Sequence, residues 1–187
     1  MPLLHKKSLF FHIPKTGGNW VRSALRASCD VQLELQDHTF PMRVTSDYYK
    51  FCFVRHPLTW YKSFFNYRNS RKWQSVKRME LDNYSCGDFN VFIKRVCKYT
   101  NGFLTSLFKK YTQDVDFVGK QENLVDDLVT ALKSAGETFD EGKLRGTQRL
   151  NLSDSESLTY DVKLEQRLQH LEIGAIEEYK YEVLNGK

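Results

Sequence analysis

Apolar positions gather into a few short continuous runs, separated by stretches with helical spacing. Ser8 to Ile13 reads SLFFHI and is closed by Pro14. A run without alternation is what a strand buried on both faces presents. Gly17 and Gly18 follow, and Asn19 to Ser28 then carries Trp20, Val21, Ala24 and Leu25 on one helical stripe. The predicted opening is therefore strand, glycine turn, helix. Tyr49 to Arg55 (YKFCFVR) is a second buried-strand run, followed by His56-Pro57 and an apolar stripe of Leu58, Tyr61, Phe64 and Phe65. Proline suits the first turn of that helix, where its missing N–H would have had no partner. Asn69 to Ser85 is polar and basic and reads as a long excursion, and Asp88 to Tyr99 as a helix. A third strand is expected over Val115 to Gly119. A helix follows over Glu122 to Ala135, with Leu124, Leu128 and Leu132 in register. Gly136 to Asn151 reads as irregular. Ser153 or Asp154 is the expected cap of a final helical region in which Leu164, Leu168 and Leu171 face a core. Strands alternating with helices predict an α/β sandwich around a mainly parallel sheet.

Length and composition narrow this further. The chain has 187 residues, the size of one domain, and the expected organisation is a single domain over 1–187. Hydrophobic residues at 41% and charged ones at 27% predict a folded core rather than disorder. Twenty-eight basic against 23 acidic residues leave a net charge of +5, a mild bias compatible with an anionic ligand and too small to indicate nucleic acid. There is no run of about 18 apolar residues that could span a membrane. Leu9 to Ile13 is too short for a secretory segment. Cys29, Cys52, Cys86 and Cys97 have no zinc-like spacing. Reduced cysteines and no export signal set the expectation of a cytoplasmic protein, or of a soluble piece of something longer.

Two segments carry chemistry. In PKTGGNW (Pro14 to Trp20), a glycine pair lets the backbone turn tightly and present N–H groups. The helix N-terminus behind it adds partial positive charge and Lys15 a full one. That combination is an anion cradle suited to phosphate or sulfate, although a plain strand-to-helix turn with a surface lysine reads the same way. It is not a Walker A loop, because the lysine precedes the glycines. In RHPLTWYKS (Arg55 to Ser63), an arginine at a strand's carboxyl tip can hold phosphate through two N–H groups, and the Ser63 hydroxyl lies two helical turns on. Ligands of open α/β sheets bind at the carboxyl ends of strands, so both segments can line one crevice. A surface arginine and an ordinary helix serine are the plainer alternative.

Taken together, the segments resemble the phosphosulfate-binding loop and the 3′-phosphate-binding element of sulfotransferases that use 3′-phosphoadenylyl sulfate (PAPS). PKTGGNW is similar to that family's PKTGTTW and PKTGGT variants, and RHPLTWYKS matches its arginine, proline and serine at the family spacing. FVGKQENLVDDL (Phe117 to Leu128) is similar to the family's F-[IV]-G-R-x-E-N-L strand and helix, and the tail from Asn151 through Tyr181 to the C-terminal helices of its carbohydrate-type branch. The resemblance implies a three-layer, P-loop-nucleotide-hydrolase-like fold. It implies that Lys15 touches the oxygen bridging sulfate and 5′-phosphate, and that Thr16, Gly17 and Gly18 hold the phosphosulfate. Arg55 and Ser63 would hold the 3′-phosphate. Trp20 matches an adenine-stacking tryptophan, and a core ring is the alternative. Arg145-Gly146 sits where a basic-glycine loop could close on the same phosphate. Asn19 departs from the family pattern by replacing a threonine or serine, and an amide can still donate from its NH₂ group.

The implied reaction is in-line transfer of a sulfuryl group to an acceptor hydroxyl or amine, with PAPS as donor, 3′-phosphoadenosine 5′-phosphate (PAP) as product and no metal. A lysine at the leaving phosphate stabilises charge that builds in the transition state. A base must take the acceptor's proton. His38, in LQDHTF, is the candidate, because its setting resembles the Q-x-H-x-x-F stretch of uronyl 2-O-sulfotransferases. Asp37, Glu34 and Asp47 are alternatives. His12 reads as structural and His56 as a spacer. Two other readings stay open: a non-catalytic PAP- or nucleotide-binding module, and a P-loop kinase-like phosphotransferase, which lacks its Walker lysine and magnesium carboxylate here. The acceptor is unspecified: glycan, peptide or small molecule. The basic, aromatic stretch Tyr67 to Arg78 could hold an anionic glycan or acidic peptide, or be a solvated face. Oligomeric state is left open.

Overall fold

The structure is a computed structural model that describes residues 3–34, 41, 47–71, 79–148 and 157–183. The chain divides into two compact units: residues 1–55 with 107–151, and residues 56–106 with 152–187.

The first unit is built on a sheet of five strands, β1 (Leu3–Leu4), β2 (Ser8–Phe11), β3 (Leu33–Glu34), β4 (Tyr49–Val54) and β5 (Phe117–Lys120), in the order β3-β1-β2-β4-β5. β2, β4 and β5 run parallel: Phe10 pairs with Phe51, and Cys52 with Val118. β1 runs antiparallel to β2 and to β3. The parallel core expected from the apolar runs is present, and a short antiparallel extension adds to it. Side chains of β2, and of β4 from Phe51 to Val54, are buried on both faces. Phe10, Phe51 and Phe53 pack with Trp20, Val21 and Leu25 of α1 (Gly18–Ser28) and with Leu128 and Leu132 of α5 (Leu124–Ser134). On the other face, the Cys52 thiol donates weakly to the Tyr111 carbonyl of α4 (Phe103–Thr112) at 3.9 Å, and burial pushes that thiol well above its ordinary range. Gly119 in β5 is required by crowding: a Cβ there would stand 2.6 Å from the Phe53 ring.

Residues 136–151 are not wholly irregular. α6 (Glu141–Gly146) forms there, with the Asp140 carboxylate accepting from the Lys143 N–H at its start and Leu144 fully buried in the core beside α1. Six residues are too few to show a period, so the pattern alone hides it.

The second unit is helical and aromatic. α2 (Pro57–Ser70) and α3 (Phe89–Tyr99) meet through Phe64, Phe65, Phe89 and Phe92, with Phe65 5.4 Å from Phe89 and Trp60 stacked 5.2 Å from Phe64. Such pairs add roughly 0.5–1.5 kcal/mol beyond area burial. Arg68 of α2 forms a buried ion pair with Asp82 at 2.6 Å, tying α2 to a single turn of 3₁₀ helix over Glu80–Tyr84. α7 (Val162–Leu171) and α8 (Ile173–Glu178) complete the unit. The cap of α7 is Asp161, which accepts from the Lys163 and Leu164 N–H groups; Ser153 and Asp154 lie outside the described residues. Of the predicted stripe, Leu168 is fully buried, while Leu164 and Leu171 are half-buried.

The sequence pattern assigns no element to 100–114, and α4 (Phe103–Thr112) lies there. Its opening N–H groups are satisfied from afar: buried Glu172 accepts from the Leu104 N–H (3.0 Å), the Thr105 N–H and hydroxyl, and the Tyr61 hydroxyl (2.6 Å). A cap supplied 68 residues away leaves no local start signal.

Candidate functional site

The turn between β2 and α1 is tightly determined by its neighbours. The buried Thr16 hydroxyl donates to the Ile13 carbonyl at 2.8 Å, closing the turn on itself. Lys15 and Gly17 both take the left-handed backbone region, with φ of 67° and 84°. Glycine is needed at 17 for that reason and for space, since a Cβ would lie 2.6 Å from Leu124 Cδ2. At Gly18 the restriction is steric alone: a Cβ would overlap the His12 imidazole at 1.9 Å. His12 thus has a structural place, half-buried, stacked on Phe10 and filling the space that a side chain at 18 would claim.

α1 begins with Gly17 as its N-cap. No side chain caps it, and its first turn holds no acidic residue. Trp20 and Val21 donate back to the Gly17 carbonyl, so the positive end of the helix is left without a counter-group of its own. This fits an anion, because an uncapped N-terminus offers N–H donors and a partial positive charge to whatever oxygen approaches. Asn19 is exposed just inside the helix, and its side-chain oxygen accepts from Arg22 Nη2 at 3.1 Å.

The second segment reaches the first. Arg55 follows β4, and its Nη1 donates to the Lys15 carbonyl at 3.3 Å. β2 and β4 are adjacent and parallel, so both segments emerge at carboxyl ends of neighbouring strands. The third segment arrives beside them: Leu124 and Gln121, after β5, are the side chains nearest Gly17. Lys15 and Gly17, Arg55, and Gln121 with Leu124 thus meet at one end of the sheet.

The remaining assigned residues fare differently. Trp20 is a core ring, 4% exposed, whose Nε1 donates to the Thr147 carbonyl at 3.1 Å; of its two readings the core one describes it, and it presents no open face for a base. Arg145 stands in an exposed ion cluster, donating to Glu141 (2.9 Å) and Asp126 (2.7 Å), contacts that raise its pKa. A phosphate there would compete with both carboxylates for the guanidinium. Gly146 ends α6 with open space beside it. Ser63 is buried in α2 of the second unit. His56 is more than a spacer: its Nδ1 accepts from the Leu58 N–H and caps α2, which leaves Nε2 to donate to the Glu182 carbonyl at 3.1 Å. His38 and Asp37 lie outside the described residues, as does the side chain of Glu34, whose backbone belongs to β3. Of the basic stretch, 72–78 lies outside them too.

A cavity of about 280 Å³ is lined by Asp47, Tyr48, Tyr49, Lys50, Asp114 and Asp116. It sits at the amino end of β4, whereas Arg55 follows the carboxyl end. The six residues of the strand put roughly 20 Å between them. Asp47 is therefore at the wrong end of the sheet to take a proton beside Lys15. The cavity also carries none of the cradle's features: its acids would repel a phosphate.

Among the described residues no group of three histidine, cysteine or acidic side chains could hold a metal ion, and no helix is long and apolar enough to cross a membrane. No protein-family model, curated protein or solved structure matches the chain.

Proposed function

We propose that this chain is a sulfotransferase that takes its sulfuryl group from PAPS, on a three-layer, P-loop-like frame. The observation that carries the reading is the Arg55–Lys15 contact at the mouth of an uncapped helix. It joins Arg55 of one motif segment to the Lys15 backbone of the other, and so supports reading a guanidinium and an ammonium-bearing residue as parts of one anion cradle. The loop backbone after Lys15 and the open end of α1 receive the 5′-phosphosulfate. Arg55 holds the 3′-phosphate, the group that separates this donor from ATP, and Ser63 is assigned to it by resemblance alone. Trp20 and Arg145 are left out of the proposed site, since each is already engaged elsewhere.

In the reaction, the acceptor oxygen attacks sulfur in line. The bond from sulfur to the bridging phosphate oxygen breaks, and PAP departs with the negative charge. Lys15 meets that charge where it develops, so it serves the transition state more than the ground state. The acceptor's proton goes to a base, for which His38 is the candidate.

Two measurements test this. Thermal unfolding with PAP against ATP–Mg²⁺ should show a clear rise with PAP and little with ATP, because bound ligand stabilises by mass action. Transfer of labelled sulfate from PAPS to a panel of glycan, peptide and phenolic acceptors should then occur with wild type. It should fall on the order of a hundredfold in Lys15→Ala while PAP affinity falls less. PAP binding without transfer to any acceptor would favour a non-catalytic binding module. A preference for ATP–Mg²⁺ would overturn the proposal.

A further inference from the structure

The geometry points to Arg22 as a positioning residue that turns the Asn19 amide so that its NH₂ group, in place of the usual hydroxyl, donates to the bound 5′-phosphate. This rests on the phosphate-loop reading above and extends it to a residue outside the motif.

Asn19 is the second residue of α1, beside the loop glycines, and is exposed. A hydroxyl at this position can rotate to donate to an anion. An amide cannot do so unconditionally, because one arm donates and the other only accepts. With its oxygen toward phosphate, an asparagine would oppose two acceptors and weaken binding. Which arm faces the anion therefore decides whether Asn19 helps or harms. Arg22 settles it. Residues three apart are neighbours on a helix surface, and Arg22 Nη2 reaches Asn19 Oδ1 at 3.1 Å. A guanidinium has donors and no acceptor, so it pairs only with the amide oxygen. The donor arm is the one left for a ligand at the uncapped end of the helix.

Arg22 packs part of its length against the protein. Its side chain is half-buried, and its Nε is buried without a hydrogen-bond partner. A buried unpaired donor is costly to keep. The contact it fixes is the one that presents the Asn19 amide. The first turn of α1 holds no acid that would compete for either side chain.

The test is a double-mutant cycle read by calorimetric titration of PAP, and of inorganic pyrophosphate as a probe of the loop alone, at one fixed salt concentration. In the Asn19 background, Arg22→Ala should lower both affinities by about five- to tenfold, the effect of losing one oriented phosphate donor. Arg22→Gln, which keeps a donor for Asn19 Oδ1 without the charge, should recover most of that loss. In the Asn19→Thr background the hydroxyl orients itself, and Arg22→Ala should change affinity by less than about twofold. Loss of packing around Arg22 is common to both backgrounds and cancels in the cycle. Equal losses in the two backgrounds, or an Arg22→Gln as weak as Arg22→Ala, would mean that the charge acts on the anion directly and would overturn the inference. So would an Arg22→Ala with no effect beside Asn19. If wild type binds neither probe, the phosphate-loop reading itself fails. If wild type binds and the cycle is additive, only the role of Arg22 fails.

Discussion

Arg55 donates from the carboxyl end of β4 to the carbonyl of Lys15 at the carboxyl end of β2, 3.3 Å away. Lys15 needs that help. Apart from Lys180, it is the only non-glycine among the described residues with a positive φ, a conformation that costs an L-residue about 1–2 kcal/mol. A charge-assisted hydrogen bond to its carbonyl offsets a cost of that size. The same arginine that would grip the 3′-phosphate therefore also holds the loop that would carry the 5′-phosphosulfate.

This double duty changes what removal of Arg55 should do. Arg55→Ala should weaken PAP binding by about 1.5–3 kcal/mol, the size of a lost charge-assisted contact. Adenosine 5′-phosphosulfate has no 3′-phosphate and should lose affinity too, by a smaller amount, because the Lys15 turn loosens. Titration of both ligands against both proteins decides it. Equal losses would leave Arg55 as a loop brace alone, and an unchanged affinity for adenosine 5′-phosphosulfate would mean that the brace does nothing for the loop.

Gly18 and His12 form a second pair with a sharp expectation. Because a Cβ at 18 would overlap the imidazole at 1.9 Å, Gly18→Ala should destabilise the fold by about 1–3 kcal/mol, as overpacking does. The double variant His12→Ala/Gly18→Ala should be less destabilised than the sum of its parts, since removing the ring makes room for the methyl group. Urea unfolding of the four proteins measures the coupling. Additive effects would show that the ring swings away freely and fixes nothing.

The parts legible in the sequence were those governed by local rules. β2 and β4 are legible because burial on both faces erases alternation, and α1, α3 and α5 because one buried stripe imposes a period. The loop proposed here as an anion cradle is legible for a similar reason: glycines, lysine and helix start are contiguous. What stayed hidden depends on partners distant in the chain. α4 starts against Glu172, Trp20 is committed to Thr147, and Arg145 is held by Asp126. No spacing rule announces such partners. β1 and β3 have two residues each, too few for any pattern.

The Arg68–Asp82 pair is expected to matter through its burial. Their side chains are only 6% and 2% exposed, and Asp82 also accepts from the Met79 N–H at 3.1 Å. Removing one partner strands a buried charge, so Arg68→Met should cost about 3–5 kcal/mol. Arg68→Met with Asp82→Leu removes both charges and should recover much of that loss. Urea midpoints of the single and double variants check it, and a mild single-variant effect would show that water reaches Asp82 once the arginine is gone.

His5 gives the fold a pH dependence of its own. It follows β1 and is fully buried, and neither ring nitrogen makes a hydrogen bond of ordinary geometry. Burial lowers its pKa from the usual 6.5, while the Glu137 carboxylate and the Asp30 backbone pull more weakly the other way. The folded state therefore prefers the neutral ring. Unfolded His5 binds a proton once the pH drops below about 6.5, and the folded form resists doing so until a lower pH. More protons bound in the unfolded state mean that stability rises with pH. The contribution is complete above about 6.5 and declines as the pH falls from there toward the folded pKa. Urea unfolding between about pH 5 and 8, where carboxylates contribute little and histidine dominates, should show wild type losing stability on the acid side. His5→Leu removes the titrating group and the two unpaired nitrogens while keeping an apolar side chain of similar bulk. Its profile should be flatter over that range, with the largest advantage over wild type at the acid end. If the variant falls as steeply as wild type, the slope belongs to another group, and His5 is able to charge in place by engaging Glu137.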